Sequence, residues 1–305
     1  MATDPVSDEE FSVERCFTVH KGNMPVLLVA GHGGRWPLNA VPKRSRPRAN
    51  TVRDDNTNEL LALVAAAVRE QSGGTCEPYT VSALCHRRYC DLNRSEGDAS
   101  EHALATRYWR YYHGTIGAMV REMVAAHPHA LPALIDVHGQ SWRKDTVLRG
   151  TQDGRTTPRL LALYGSAALV GSEGLLGALH AHGHAVYPPL DVAIGTHATT
   201  PEHASFNGGW TVRYWSGLAA DTPEGHAATA VLAHDGHTFV DAVQLEIGFH
   251  FRDTASPLMA TFAADLARAI LRWHHHYLVP HEHRHEHEHE HEQMKQHQQS
   301  QSQQQ

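Results

Sequence analysis

The chain has 305 residues, a formal net charge of −7 and 27 histidines. Counting glycine and leaving out tyrosine, about 46 % of it is apolar, which lies in the globular range and excludes disorder throughout. From His281 onward five Glu oppose only Arg284 and Lys295, so the body is nearly balanced, which argues against a general nucleic-acid binder.

The longest purely apolar run, Leu60 to Val68, is too short to span a bilayer. The N-terminus carries Asp4, Asp8, Glu9 and Glu10 without an apolar core and does not read as a signal peptide. Cys16, Cys76, Cys85 and Cys90 in so long a chain make no disulfide framework. The expectation is a soluble, reduced, cytoplasmic protein with no nucleic-acid or membrane partner; its oligomeric state is left open.

In chain order, residues 1–20 read as an irregular lead-in. Val26 to Ala30 reads as a buried strand stopped by Gly31-His32-Gly33-Gly34. A proline- and arginine-rich loop follows, then a helix over Leu60 to Glu70, capped near Asp54 to Thr57 and ended by Ser72-Gly73-Gly74. Tyr79 to Ala83 is a short strand and Ser100 to Ala126 a second helix. Ala133 to Val137 is an apolar strand with His138 at its end, and Arg159 to His182 is a helix or two short ones. Asp241 to Ile247 reads as a strand and Pro257 to Tyr277 as a closing amphipathic helix. This alternation predicts an α/β fold, a mainly parallel mixed sheet with helices on both faces. The domain then runs over 21–279, and 280–305 is a His/Glu- and Gln-rich tail too polar to order itself.

His32 and His138 both fall at predicted strand ends, where ligands of open α/β sheets gather. Two histidines and one carboxylate leave a zinc position open, as a catalytic site requires. Asp54 and Asp55 could supply that carboxylate or serve only as helix caps. Arg88, Asn93 and Arg94 surround Asp91; they suit a substrate carboxylate, or else a structural Arg–Asp ion pair. Glu246 stands in an otherwise apolar strand, where a carboxylate is expensive unless paired or functional. His281-Glu282-His283-Arg284-His285 fits a metalloprotease pattern, but in a His-Glu tract that match follows from composition alone.

Together, Gly31-His32-Gly33-Gly34, Asp54-Asp55-Asn56-Thr57, Arg88-Tyr89-Cys90-Asp91-Leu92-Asn93-Arg94, Tyr111-Tyr112-His113, Asp136-Val137-His138 and Gln244-Leu245-Glu246 with Arg252 resemble the N-formylglutamate amidohydrolase family. The resemblance implies a zinc-carboxypeptidase-like fold and hydrolysis of the amide bond of N-acyl amino acids. It further implies His32, Asp54 and His138 as ligands of Zn2+ or another divalent ion, Asp54 being favoured over Asp55 by the family spacing. Arg88, Asn93 and Arg94 would hold the substrate carboxylate, or Arg88 would polarise the scissile carbonyl, and Glu246 would be the general base. Gly31 stands where the family usually has Pro, and Gly139 where Ser commonly follows the second histidine. The alternatives are a carboxypeptidase-like or deacylase activity on another substrate, and an inactive metal-buffering protein acting through its tail.

Overall fold

Strand Val26–Ala30 (β2) is buried on both sides, and that explains its unbroken apolar run. In the computed structural model it sits third in a seven-stranded sheet of order β1-β3-β2-β4-β7-β5-β6. The other strands are Phe17–His20 (β1), Tyr79–Ala83 (β3), Ala133–Gln140 (β4), Thr146–Gly150 (β5), Ala185–Tyr187 (β6) and Asp241–Gly248 (β7). The structure describes residues 13–38, 40–47, 49–191, 194, 202–219 and 239–279. The tail from 280 lies outside the described residues, and so do residues 1–12.

β3, β2, β4 and β7 run parallel; β1 pairs antiparallel with β3, and β5 antiparallel with β7. The sheet is therefore mixed and mainly parallel, and helices cover both faces. On one face Thr57–Gln71 (α1), Leu175–Ala181 (α6) and Leu258–Trp273 (α8) bury Leu60, Val64, Phe262, Ile270 and Trp273 against Ile135, Val243 and Leu245. On the other, Ala103–Ala126 (α3) and Trp210–Trp215 (α7) pack Tyr108, Tyr112, Ile116 and Trp215 on Leu27, Val29 and Leu134. Strand alternation explains the split, since odd and even positions of each strand feed opposite cores.

Several expectations need correction. Residues Val13–His20 are not a lead-in but a 3-10 turn and the edge strand β1, paired from Phe17↔Ala83 to His20↔Thr80. The stretch Arg159 to His182 is three short helices, Pro158–Tyr164 (α4), Ala167–Val170 (α5) and α6, broken where Gly165, Gly171 and Gly174 intervene. The closing helix ends at Trp273 and passes into a π-turn over His274–Leu278. β4 continues past Val137 to Gln140, so His138 lies inside a strand rather than beyond it. A last short helix, Glu96–Ala99 (α2), precedes α3.

Candidate metal centre

The β4 extension sets the geometry of the centre. Within the parallel ladder His138 stands directly beside Glu246 of β7. Asp136, His138, Gln244 and Glu246 occupy alternate positions and face the α3–α7 side of the sheet. His32 follows the end of β2. Gly34 lets this turn lie against β3, because a Cβ there would stand 2.2 Å from the Cys85 carbonyl oxygen.

His32, Asp54 and His138 converge although 106 residues separate the two histidines. His32 Nδ1 is 3.1 Å from His138 Nδ1, and Asp54 Oδ2 is 3.0 Å from His138 Nδ1 and 3.5 Å from His32 Nδ1. Ligands at roughly 2.0 Å around a tetrahedral ion stand about 3.3 Å apart, so this donor set fits a divalent metal. Each outward nitrogen is held by a buried carboxylate: His32 Nε2 lies 2.6 Å from Asp91 Oδ1, and His138 Nε2 2.9 Å from Asp136 Oδ2. Such outer carboxylates orient a metal-binding imidazole and raise its basicity.

Asp54 does not cap α1. Its Oδ2 accepts the Gly139 N–H at 3.1 Å and its Oδ1 faces Arg87 at 3.3 Å. The turn into α1 is made instead by Asn56 in the left-handed region, φ +63°, tied down by donation from its side-chain amide to the Arg252 carbonyl. Asp55 points the other way, half-exposed and paired with Arg53.

Electrostatics follow from burial and partners. Burial opposes ionisation of Asp54, yet hydrogen bonds from His138 and His32 hold its carboxyl well below the usual range. Burial likewise opposes charge on His138, but Asp136 and Asp54 raise its pKa well above that of a free imidazole. Burial pushes Glu246 up to about 8, against the pull of His138. Its Oε1 accepts the Gln244 amide at 2.8 Å, and Gln244 Oε1 in turn accepts the Gly209 N–H at 2.7 Å.

The arginine assignment shifts by one residue. Arg87, not Arg88, enters the site: its guanidinium donates to Asp91 Oδ2 at 2.8 Å and to Asp54. Arg44 donates to the same Asp91 oxygen at 3.2 Å. Arg88 lies off the cavity wall, near His86, whose pKa falls to about 4 through burial and this arginine with its neighbours. Consecutive residues of the turn after β3 project in different directions, and the reading from sequence had no means of choosing between two adjacent arginines.

Asn93 and Arg94 do line the cavity, a space of about 680 Å³. Asn93 Oδ1 accepts the Thr211 N–H at 2.7 Å and its Nδ2 approaches His138 Nε2 at 3.2 Å, so it ties α7 to the centre. The wall from Ala204 to Trp210, together with Arg213, completes the cavity. None of these was singled out from sequence, because only the fold carries them over the β4 and β7 ends. His113, named in the resemblance, lies deeper: it meets the Leu92 carbonyl and the Trp215 indole, and burial pushes its pKa down to about 3. It is a neutral core imidazole.

The chain matches no protein-family model and no curated protein sequence. Its structure is similar to the crystal structure of N-formylglutamate amidohydrolase from Ralstonia eutropha JMP134, with a TM-score of 0.52 at 15% identity over 85% of this chain and 96% of that one. Lesser likenesses are to a gene product from Agrobacterium tumefaciens, with a TM-score of 0.45 at 13% identity over 84% and 95%, and to the succinylglutamate desuccinylase from Chromobacterium violaceum, with 0.37 at 13% over 85% and 66%. The resemblance carried by the motifs thus extends to the backbone: this chain has the fold of an N-formylglutamate amidohydrolase.

Proposed function

We propose that the protein is a metal-dependent amidohydrolase cleaving the amide bond of an N-formyl or N-acyl amino acid, N-formylglutamate being the reference substrate. The observation that carries this reading is the convergence of His32, Asp54 and His138 beside the buried Glu246 in an arginine-lined cavity. Zinc or another divalent ion held by those three residues supplies Lewis acidity, lowering the pKa of water and polarising a carbonyl oxygen.

The remaining work falls to the chain. Glu246 takes the proton from the attacking water and returns it to the leaving nitrogen; a carboxyl whose pKa is raised toward neutrality exchanges protons readily in both directions. Gln244 fixes one oxygen of that carboxyl. Asn93, Arg94 and Arg213 stand where the substrate carboxylate is held, while Arg87, engaged by Asp91 and Asp54, adds positive charge near the scissile carbonyl. We place the activity in the cytoplasm, in keeping with four free thiols, three of them buried.

The test is Glu246→Gln. Turnover of N-acyl amino acids should fall by roughly 10²–10⁴-fold, the usual contribution of a positioned acid–base group, with bound metal unchanged. In the parent enzyme kcat/KM should fall as pH drops through the Glu246 pKa, because only the carboxylate accepts the proton. Burial raises that pKa from 4.5 to about 8 against the pull of His138, so the limb belongs well above the ordinary carboxylate range. Normal turnover by Glu246→Gln overturns the assignment. A carboxypeptidase-like or deacylase activity would use the same residues, and a panel of acyl donors separates it.

A further inference from the structure

We infer that the cavity receives a substrate bearing an aromatic ring, which packs against Phe206. The inference rests on the amidohydrolase reading and names its substrate class. His138, Glu246, Leu148 and Tyr187 are register neighbours on β4, β7, β5 and β6. Adjacent strands lie about 4.8 Å apart, so Tyr187 stands roughly 10 Å along the sheet from Glu246.

At that end a series of planar groups is assembled. The Arg143 guanidinium lies 4.9 Å from the Tyr187 ring centre and 4.5 Å from that of Trp142. Trp142 packs on His203 at 4.4 Å, and His203 on Phe206 at 4.9 Å with their planes 31° apart. His203 is itself fixed, its Nδ1 accepting the Ser205 N–H at 3.2 Å. The series ends at Phe206, the member that lines the cavity, in a wall otherwise dominated by charged and polar groups. Trp142, outside the cavity lining, remains 48% exposed. The cavity of about 680 Å³ lies within the roughly 300–1,000 Å³ of sites that take drug-sized ligands, well beyond what a formyl group and a short side chain fill. One more ring, brought in by the substrate, extends the series into the cavity at the stacking distance its members already keep.

The ring has two sources, the acyl group or the amino-acid side chain, and paired substrates distinguish them. On the metal-loaded enzyme, kcat/KM is compared for N-benzoylglycine against N-hexanoylglycine, and for N-formylphenylalanine against N-formylnorleucine. One aromatic member should lead its aliphatic counterpart by roughly tenfold, from stacking together with apolar contact, and the pair that discriminates identifies the source. In Phe206→Leu, which keeps an apolar side chain but no ring, that ratio should collapse toward one. Trp142→Ala, which removes the ring behind His203, should reduce it in the same direction. Equilibrium binding of the four compounds to Glu246→Gln, measured by calorimetry, should rank them in the same order. Equal rates and equal affinities within both pairs, or an unchanged ratio in Phe206→Leu, overturn the inference even if all four compounds are hydrolysed. If none is hydrolysed the amidohydrolase reading fails by itself, and the calorimetric ranking still decides whether a ring is received.

Discussion

Asp91 shows how much a single residue organises here. It is fully buried, takes His32 Nε2 on one oxygen, and gathers Arg44 and Arg87 on the other. Burial opposes its charge, but His32 and Arg87 hold its pKa well below the usual range. Asp91→Asn leaves two guanidiniums short of a counter-charge and His32 Nε2 without its carboxylate. Metal affinity, measured by competition with a chelator, should fall about 10–100-fold, as for other outer carboxylates of metal-binding histidines. The metal-free protein should also lose roughly 3–5 kcal/mol in denaturant unfolding, the usual penalty for breaking a buried ion pair. Unchanged affinity would show that Asp91 serves the core alone. At this scale the residue types were legible in sequence, two histidines and several carboxylates near strand ends. Asp54 was favoured over Asp55 only by the family spacing, and which arginine faces inward was not legible, because Arg87 and Arg88 are chemically alike and differ only in direction.

Among the elements, the end of β4 and the turn after β7 are joined by one side chain. Arg252, 2% exposed, donates Nε to the Ile247 carbonyl at 2.9 Å, one terminal nitrogen to the Gln140 carbonyl at 3.2 Å and the other to the Asp55 carbonyl. It clamps the Asp54 turn, β4 and β7 together with no carboxylate in direct contact among the described residues. Gly139 makes room for it: a Cβ there would stand 2.3 Å from the Arg252 guanidinium carbon. The departure from serine after the second histidine thus has a steric reason in this chain. Gly139→Ser should force the guanidinium off its carbonyls, lowering stability by about 1–3 kcal/mol in thermal or denaturant unfolding. In an Arg252→Ala background the same change should cost far less, and that non-additivity is the diagnostic. Additive effects would sink the coupling. The long periodic elements were readable from sequence, and β2 and β3 match their predicted bounds. β1, β5, β6 and α7 were not, since each has only three to six residues and too little periodicity to mark it.

For the whole molecule, the sheet divides the apolar residues into two cores and carries the candidate site on the α3–α7 side. No single helix among the described residues is long and apolar enough to cross a membrane. Among the described residues, the group that could hold a metal, His32, Asp54 and His138, lies in the body. Protein truncated after Val279 should therefore retain about one tightly bound metal per chain by elemental analysis, lost on combining His32→Ala with His138→Ala. If truncation removes the tight site, the His-rich tail is the metal carrier and the buffering reading prevails.

By itself the sequence determined the α/β alternation and the chemical types gathered at the site, because periodicity and side-chain chemistry are local properties of a chain. The tertiary structure decided the rest. Extending β4 through His138 sets that imidazole beside Glu246, a direction in the turn after β3 selects Arg87, and the segment from Ala204 to Arg213 closes the cavity from far along the chain. These are relations between distant segments, set by ladder register and packing, and no short window of sequence contains them.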